Sequence, residues 1–291
     1  MTAPLALQLL VAGVSVGSIY AFVALAIVIP FKTSGVLNFG QGEIVTLGAY
    51  VALVLTQAAL PYPVTILGVL AVGALGGVLV ERIFIRPIVH APEFTVVIAT
   101  FAVGLLIKLA IRLHWSDTPY SIDGPFGSDP LALGPIRVNP SSLWILASLV
   151  AVTALLVAFF KFTRLGKAMR AVSLNLDAAR LMGVKVNRIY RSAWAVSTAI
   201  GALTGLLVAP LIGINPDVGH LILKALVASV IGGFTSLPGA VVGGLAVGTI
   251  ETFSGVLVGS SFKNLVPFLV LMALLVLRPH GLFGRTEAKR V

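Results

Sequence analysis

Glu251 stands inside an otherwise apolar stretch, "GLAVGTIETFSG". A carboxylate there is costly and so by default a functional candidate; the alternatives are a silent pair within the bundle or a protonated carboxyl. Lys224 and Lys108 lie nearer the ends of their apolar stretches, where the stem lets the ammonium reach the interface. Lys224 is the expected partner of Glu251. A second polar group occupies "GVLNFGQGE", Gly35–Glu43, between two apolar stretches. Irregular backbone at membrane depth is tolerated only against protein or a cavity. Asn38, Gln41 and Glu43 are therefore read as lining a pathway or fixing helix packing. The plainer alternative is a turn, with Glu43 favoured in the first turn of a helix.

Other chemistry is excluded more readily. Gly13-Val14-Ser15-Val16-Gly17 matches G-x-S-x-G, but that motif needs a strand, a sharp turn and a helix, and here it lies in an unbroken apolar run. The same residues form G-x-x-x-G, which lets helices approach closely. Gly73/Gly77, Gly201/Gly205, Gly244/Gly248 and Gly255/Gly259 repeat the spacing. With no cysteine, and with His90, His114, His220 and His280 scattered, no metal site is expected. No G-x-x-x-x-G-K-[ST] occurs, so the chain has no P-loop of its own and needs no cofactor. No nucleophile–base pair suggests an enzyme.

The elements that must hold these residues are membrane helices. Of 291 residues, 58% are hydrophobic and 10% charged, against about 25% charged in a soluble domain. Thirty glycines suit membrane helices. The reading is an all-α polytopic membrane protein, one domain over residues 1–291, with about 8–9 transmembrane helices. Nine stretches qualify: 5–29, 43–60, 63–80, 93–113, 142–161, 191–213, 221–237, 239–258 and 263–278. Two of them, 43–60 and 221–237, are short and rich in small residues, as in helices that line transport paths.

The net charge of +10 does not signal nucleic acid. The basic residues cluster between spans: Arg82 and Arg86, then Lys161 through Arg191, then Arg278, Arg285, Lys289 and Arg290. The loop at 114–141 instead carries Asp117, Asp123 and Asp129 against Arg137. This alternation places the N-terminus outside, the 162–190 segment and the 279–291 tail in the cytoplasm, and membrane lipid around the bundle. Trp115, Tyr120 and Trp144 would mark the outer interface, and Tyr190 and Trp194 the inner one. The N-terminus lacks a basic n-region, so no cleaved signal peptide is expected. "PVTILGVLAVG" (63–73) echoes "PGAVVGGLAVG" (238–248) in spans of opposite direction. That fits an inverted repeat, or chance likeness between two small-residue helices.

"NLDAARLMG" is the one short charged helix in this setting. Asn175 is a good N-cap, Asp177 and Arg180 complement the helix dipole, and Gly183 stands where a C′ glycine ends a helix. A helix over 176–182 is about 10 Å long and too short to stand alone. It must lie on its own bundle or dock into a partner's groove through Leu176, Ala179, Leu181 and Met182.

Asp177-Ala178-Ala179, three residues, then Gly183 resembles the cytoplasmic EAA loop of ABC importer permeases, with Asp for Glu and no following Pro. "GVLNFGQGEIVTLGAYVA", "RLGKAMRAVSLNLDAARLMGVKVNRI", "ILKALVASVIGGFTSLPGAVVGGLAVGTIE" and "VLRPHGLFGR" together resemble the permease subunits of branched-chain amino-acid ABC importers, the LivH-like group. The resemblance implies an inner-membrane permease with a second related permease, two cytosolic ATPases and a periplasmic or lipid-anchored binding protein. It implies that Asp177, Ala178, Ala179, Arg180 and Gly183 couple to the ATPase. Asn38, Gln41, Glu43, Lys224 and Glu251 are the pathway candidates. Urea, amide and aromatic-acid importers have similar permeases, so the cargo is a branched-chain amino acid or a related small solute. The alternative is an ion-driven carrier complete in one chain.

Overall fold

Two helices form the centre of the molecule. The computed structural model describes residues 3–127, 129–134, 136–278 and 281–284. The basic tail residues Arg285, Lys289 and Arg290, together with His280, lie outside them. α1 (Ala3–Ser34) is uniformly apolar, and residues 21–29 are almost wholly buried. α8 (Val186–Ile212) is the second central helix. Of their most apolar windows, 83% and 67% are buried, against 22–39% for the other long helices. The outer helices must therefore present their apolar side chains to lipid.

Around the central pair stand α2 (Gln41–Gln57), α3 (Tyr62–Val80), α4 (Glu93–Trp115), α5 (Pro140–Phe162), α9 (Leu221–Gly232), α10 (Leu237–Leu257) and α11 (Val266–Leu277), of which α2 and α9 are themselves mostly buried. Leu67, Leu75, Leu105, Leu109 and Leu155 are exposed on them, as a membrane face requires. Asn139 and Ser236 cap α5 and α10, each with Pro in the first helical turn. All nine expected stretches are helical, and among the described residues six helices are long and apolar enough to cross a membrane. α9 and α11, at 12 residues each, reach only about 18 Å at ~1.5 Å per residue. α6 (Arg164–Leu174) and α7 (Leu176–Leu181) are short polar helices between α5 and α8.

The two halves clasp one another. α8 packs on α2 and α3, while α1 packs on α9 and α10. Glycine lets this happen. Gly73 and Gly77 lie against Thr198 and Trp194 of α8, and Gly244 and Gly248 lie against Ala21 and Gly17 of α1. The matching sequences 63–73 and 238–248 thus make equivalent contacts in opposite halves. Gly13/Gly17 and Gly201/Gly205 are packing pairs too, and Ser15 spends its hydroxyl on the Val11 carbonyl at 2.8 Å. Gly255/Gly259 departs from the expectation: Gly255 faces the Lys263 side chain, and Gly259 ends the helical region.

Aromatic placement also differs in part. Trp194 is not at an interface but fully buried, beneath Val36, Ile85 and Val96, because Gly77 leaves room for its backbone. Trp115 stacks near Tyr50, and Trp144 donates to the Tyr62 hydroxyl at 3.1 Å. A two-stranded antiparallel hairpin, Leu131–Leu133 with Ile136–Val138, covers the loop end of the bundle, where Tyr120 pairs with Ile214.

Candidate functional site

Each half of the clasp contains a break, and the breaks meet. After α1 the chain runs irregularly over 36–40 before α2 begins. There Gly40 abuts the Thr100 carbonyl near the middle of α4, and the Thr100 hydroxyl accepts the Phe39 N–H at 3.1 Å. After α8 the chain passes through residues 213–217 and a 3-10 turn, Val218–His220, before α9. Gly42, in the first turn of α2, lies directly on the Gly219 carbonyl. A side chain at either position would meet the other chain segment. Two half-helices therefore start at one point inside the bundle, an arrangement used for solute sites in transporters.

The polar residues of the first break have distinct surroundings. Asn38 and Gln41 are buried, and the Asn38 amide donates to Gln41 Oε1 at 3.0 Å while Asn38 Oδ1 accepts the Gly40 N–H at 3.0 Å. Gln41 Nε2 reaches the Ser197 carbonyl of α8 at 3.4 Å. These two side chains tie the irregular backbone to α8, satisfying groups that lipid could not. Glu43 points the other way. Its carboxylate lies against Gly219, and Oε2 is buried with no hydrogen-bond partner among the described residues.

Lys108 and Arg112 of α4 face the second break. Lys108 Nζ donates to Asp217 Oδ1 at 2.6 Å, and Arg112 joins Asp217 at 3.4 Å and Asp117 at 2.9 Å. The Lys108 hydrogen bond and the two cations hold the Asp217 carboxyl below the usual carboxylate range, more than its slight burial raises it. Lys108 is thus paired rather than free at the interface.

Glu251 on α10 is buried and bound from three elements. Lys224 of α9 donates at 2.7 Å, Tyr20 of α1 donates its hydroxyl at 2.7 Å, and Lys263 lies at 3.7 Å. The expected Lys224 partnership is present, and Tyr20 and Lys263 join it. A buried carboxylate is stable only with such partners. Among the described residues no cluster of three His, Asp or Glu side chains could hold a metal.

The short charged helix α7 is closed as its sequence requires. Asn175 accepts the Ala178 N–H at 2.9 Å. The N–H groups of Gly183 and Val184 return to the Arg180 and Ala179 carbonyls at 3.0 Å, with Gly183 at φ +80°. That is a Schellman close, and its left-handed residue favours glycine. Ala179 is buried against the bundle, and Leu176 is half-buried. Leu181 and Met182, at 90% and 84% exposure, point away with Leu174 beside them. Asp177 and Arg180 are exposed and 3.6 Å apart.

Three features escaped the sequence reading. α6 is capped by the Thr163 hydroxyl and buries Met169 and Val172, a spacing that signals a helix. Glu81, in a π-helical turn at the end of α3, is buried and takes a forked ion pair from Arg86 at 2.7 Å. Ser197 donates its hydroxyl to the Ala26 carbonyl at 2.6 Å.

Comparison with known proteins gives a consistent group. The sequence model of a family described as "Branched-chain amino acid transport system / permease component" matches residues 9–275. The high-affinity branched-chain amino acid transport system permease protein BraD of Pseudomonas aeruginosa is 30% identical, with 98% of each chain covered. The corresponding LivH of Salmonella typhimurium is 28% identical over 98% of this chain and 97% of its own. The ribose import permease protein RbsC of Escherichia coli K12 is 27% identical over 89% and 82%. Among solved structures, PsaBC from Streptococcus pneumoniae in complex with Fab shares the fold at a TM-score of 0.51 and 18% identity, covering 94% of this chain and 91% of that one.

Proposed function

The chain belongs to the branched-chain amino acid transport system permease family, and from that premise we propose that it forms one half of an ATP-driven import pathway, closed by a second, related permease. It is a multi-pass permease of the bacterial inner-membrane type. Two cytosolic ATPases would supply the energy, so ATP hydrolysis lies outside this chain. The end bearing α6 and α7 faces the cytoplasm, where the basic loops cluster. The hairpin end faces outside and receives a solute-binding protein over loop 114–141.

The observation that carries this reading is α7 itself. A six-residue helix closed at both ends presents Leu181 and Met182 to water, and large apolar side chains in such a place mark a partner's site. Asp177, Ala178, Arg180 and Gly183 shape its outer side, while Ala179 seats it on the bundle. Closure of the ATPase dimer would push α7 and α6 and so tilt α8, which holds the Gly42–Gly219 contact through Gln41. Glu43 and the Lys224–Glu251 pair would line the path, with Asn38 and Gln41 supporting its wall. The cargo is a branched-chain amino acid or a related small polar solute. The likeness to a ribose permease favours cargo choice by the binding protein.

The test is reconstitution in vesicles of this chain, alone or with the second permease and the binding protein, each with and without the ATPase subunits. Uptake that requires both the ATPases and ATP supports the reading. Uptake by this chain alone, driven by an ion gradient, sinks it.

A further inference from the structure

The end of the bundle that carries α7 holds a hollow of about 720 Å³. It is lined by His90 from the α3–α4 connection, Arg180 from α7, and Lys185, Arg188 and Arg191 from the start of α8. Among the described residues no acidic side chain lines it. Asp177 reaches only Arg180, at 3.6 Å, and both are exposed, so that pair neutralises little. The Nε of Arg191 is buried and without a partner among the described residues, as is the indole N–H of Trp194 one turn further along α8. Four permanent cations around one hollow repel each other, and a guanidinium N–H shut away without an acceptor is costly. The first amides of α8 add their own positive end. An anion with several acceptor oxygens in the hollow would relieve that repulsion and give the Arg191 guanidinium an acceptor, whereas Trp194, which does not line the hollow, is outside its reach.

We propose that this hollow binds a phosphate-bearing anion, and that its source is the headgroup of an anionic phospholipid. The connection that delivers His90 carries exposed Ile83 and Phe84, and the start of α4 exposed Phe94, apolar side chains placed for the acyl region. Basic hollows between membrane helices at the cytoplasmic side suit such headgroups, and Arg forks match phosphate oxygens. The bound phosphate would bridge the α3–α4 connection, α7 and α8. The lipid would then brace the segment on which α7 sits. This requires the chain to span a membrane, but not that it is coupled to an ATPase.

The experiment uses the purified full-length chain in neutral detergent, without ATPase subunits. It is titrated with phosphatidylglycerol, with phosphatidylcholine, or with inorganic phosphate. Thermal midpoint and lipid retained in native mass spectrometry are read. Phosphatidylglycerol is expected to be retained and to raise the midpoint by about 2–4 °C, with no effect of phosphatidylcholine. Lys185→Gln with Arg188→Gln, both exposed and safe for folding, should weaken binding at least tenfold, and Arg191→Lys, which keeps the charge but loses the fork, several-fold. A rise with inorganic phosphate alone supports the anion site and makes the free ion its source. No rise with either anion, or an equal rise in the double variant, overturns the proposal. So does a double variant that retains as much phosphatidylglycerol as the wild-type chain.

Discussion

Ser197 of α8 donates its hydroxyl to the carbonyl of Ala26 in α1 at 2.6 Å. Ala26 is the residue whose helical donor would be the amide of Pro30, which proline lacks. The two central helices are thus joined where one has lost a hydrogen bond. Ser197→Ala is expected to lower stability by about 1–3 kcal/mol, the cost of an orphaned buried acceptor. In a Pro30→Ala background, where the amide returns, the same change should cost clearly less. Thermal unfolding of the four proteins in detergent decides it, and equal costs in both backgrounds would refute the account.

Glu251 and Lys224 are tested best as a pair, since they meet at 2.7 Å. Glu251→Leu leaves the half-buried Lys224 without its carboxylate and should cost about 2–4 kcal/mol, somewhat less than for a fully buried pair. Lys224→Met combined with Glu251→Leu should recover most of that stability. Because the pair is assigned to the pathway, uptake in vesicles should stay low in the double variant. Full recovery of uptake would reduce the pair to a packing device.

Gly42→Ala places a methyl group on the Gly219 backbone. The half-helices must then part, and uptake is expected to fall at least about tenfold, as small displacements at a site commonly cost. Gly76→Ala, where nothing lies within 4 Å of the added carbon, is the control and should transport normally.

Leu181→Asp and Met182→Asp alter side chains that touch water. Stability should change by no more than about 0.5 kcal/mol. Copurification of the ATPase subunits and ATP-driven uptake should nevertheless be lost. Retention of both would remove α7 from the coupling path.

Asp217 gives a pH dependence with a defined sign. Its carboxyl is held below the ordinary range, chiefly by the Lys108 hydrogen bond. A lowered folded-state pKa contributes stability above the unfolded value, near 4, and that contribution is lost as pH falls through the folded value. The midpoint advantage of the wild-type protein over Asp217→Asn should be flat above about pH 4 and shrink below it. Because the group is exposed, added salt should reduce the advantage throughout.

The sequence showed the helices well because lipid imposes a strong, local rule on residues 5–29 or 93–113: about twenty apolar residues must follow one another. α7 was equally legible, since Asn175 and Gly183 are local closing signals. The Lys224–Glu251 pair could be guessed because few charges lay within spans. The rest was not local. Nothing near Gly42 in the chain names Gly219, and nothing near Trp194 says that Gly77 gives it room to sink inside. Ser197 looks like any small residue of a membrane helix until Pro30 of a distant helix is placed against it. For Ala179 the sequence left two faces open, its own bundle or a partner, and only the packed helices show that it faces the bundle.

The clasp between halves has a consequence for biosynthesis. α1 is made before the rest of the bundle, yet its main neighbours, α8 and α10, emerge about 150 and 200 residues later. At ~5–20 residues per second the ribosome needs roughly 10–40 s to deliver them. Through that interval a helix destined for the centre must wait at the bilayer or beside the insertion machinery with its glycine seam uncovered. A message truncated before α9 would leave that seam open for good, a signal by which membrane proteases could tell an orphan from a finished permease.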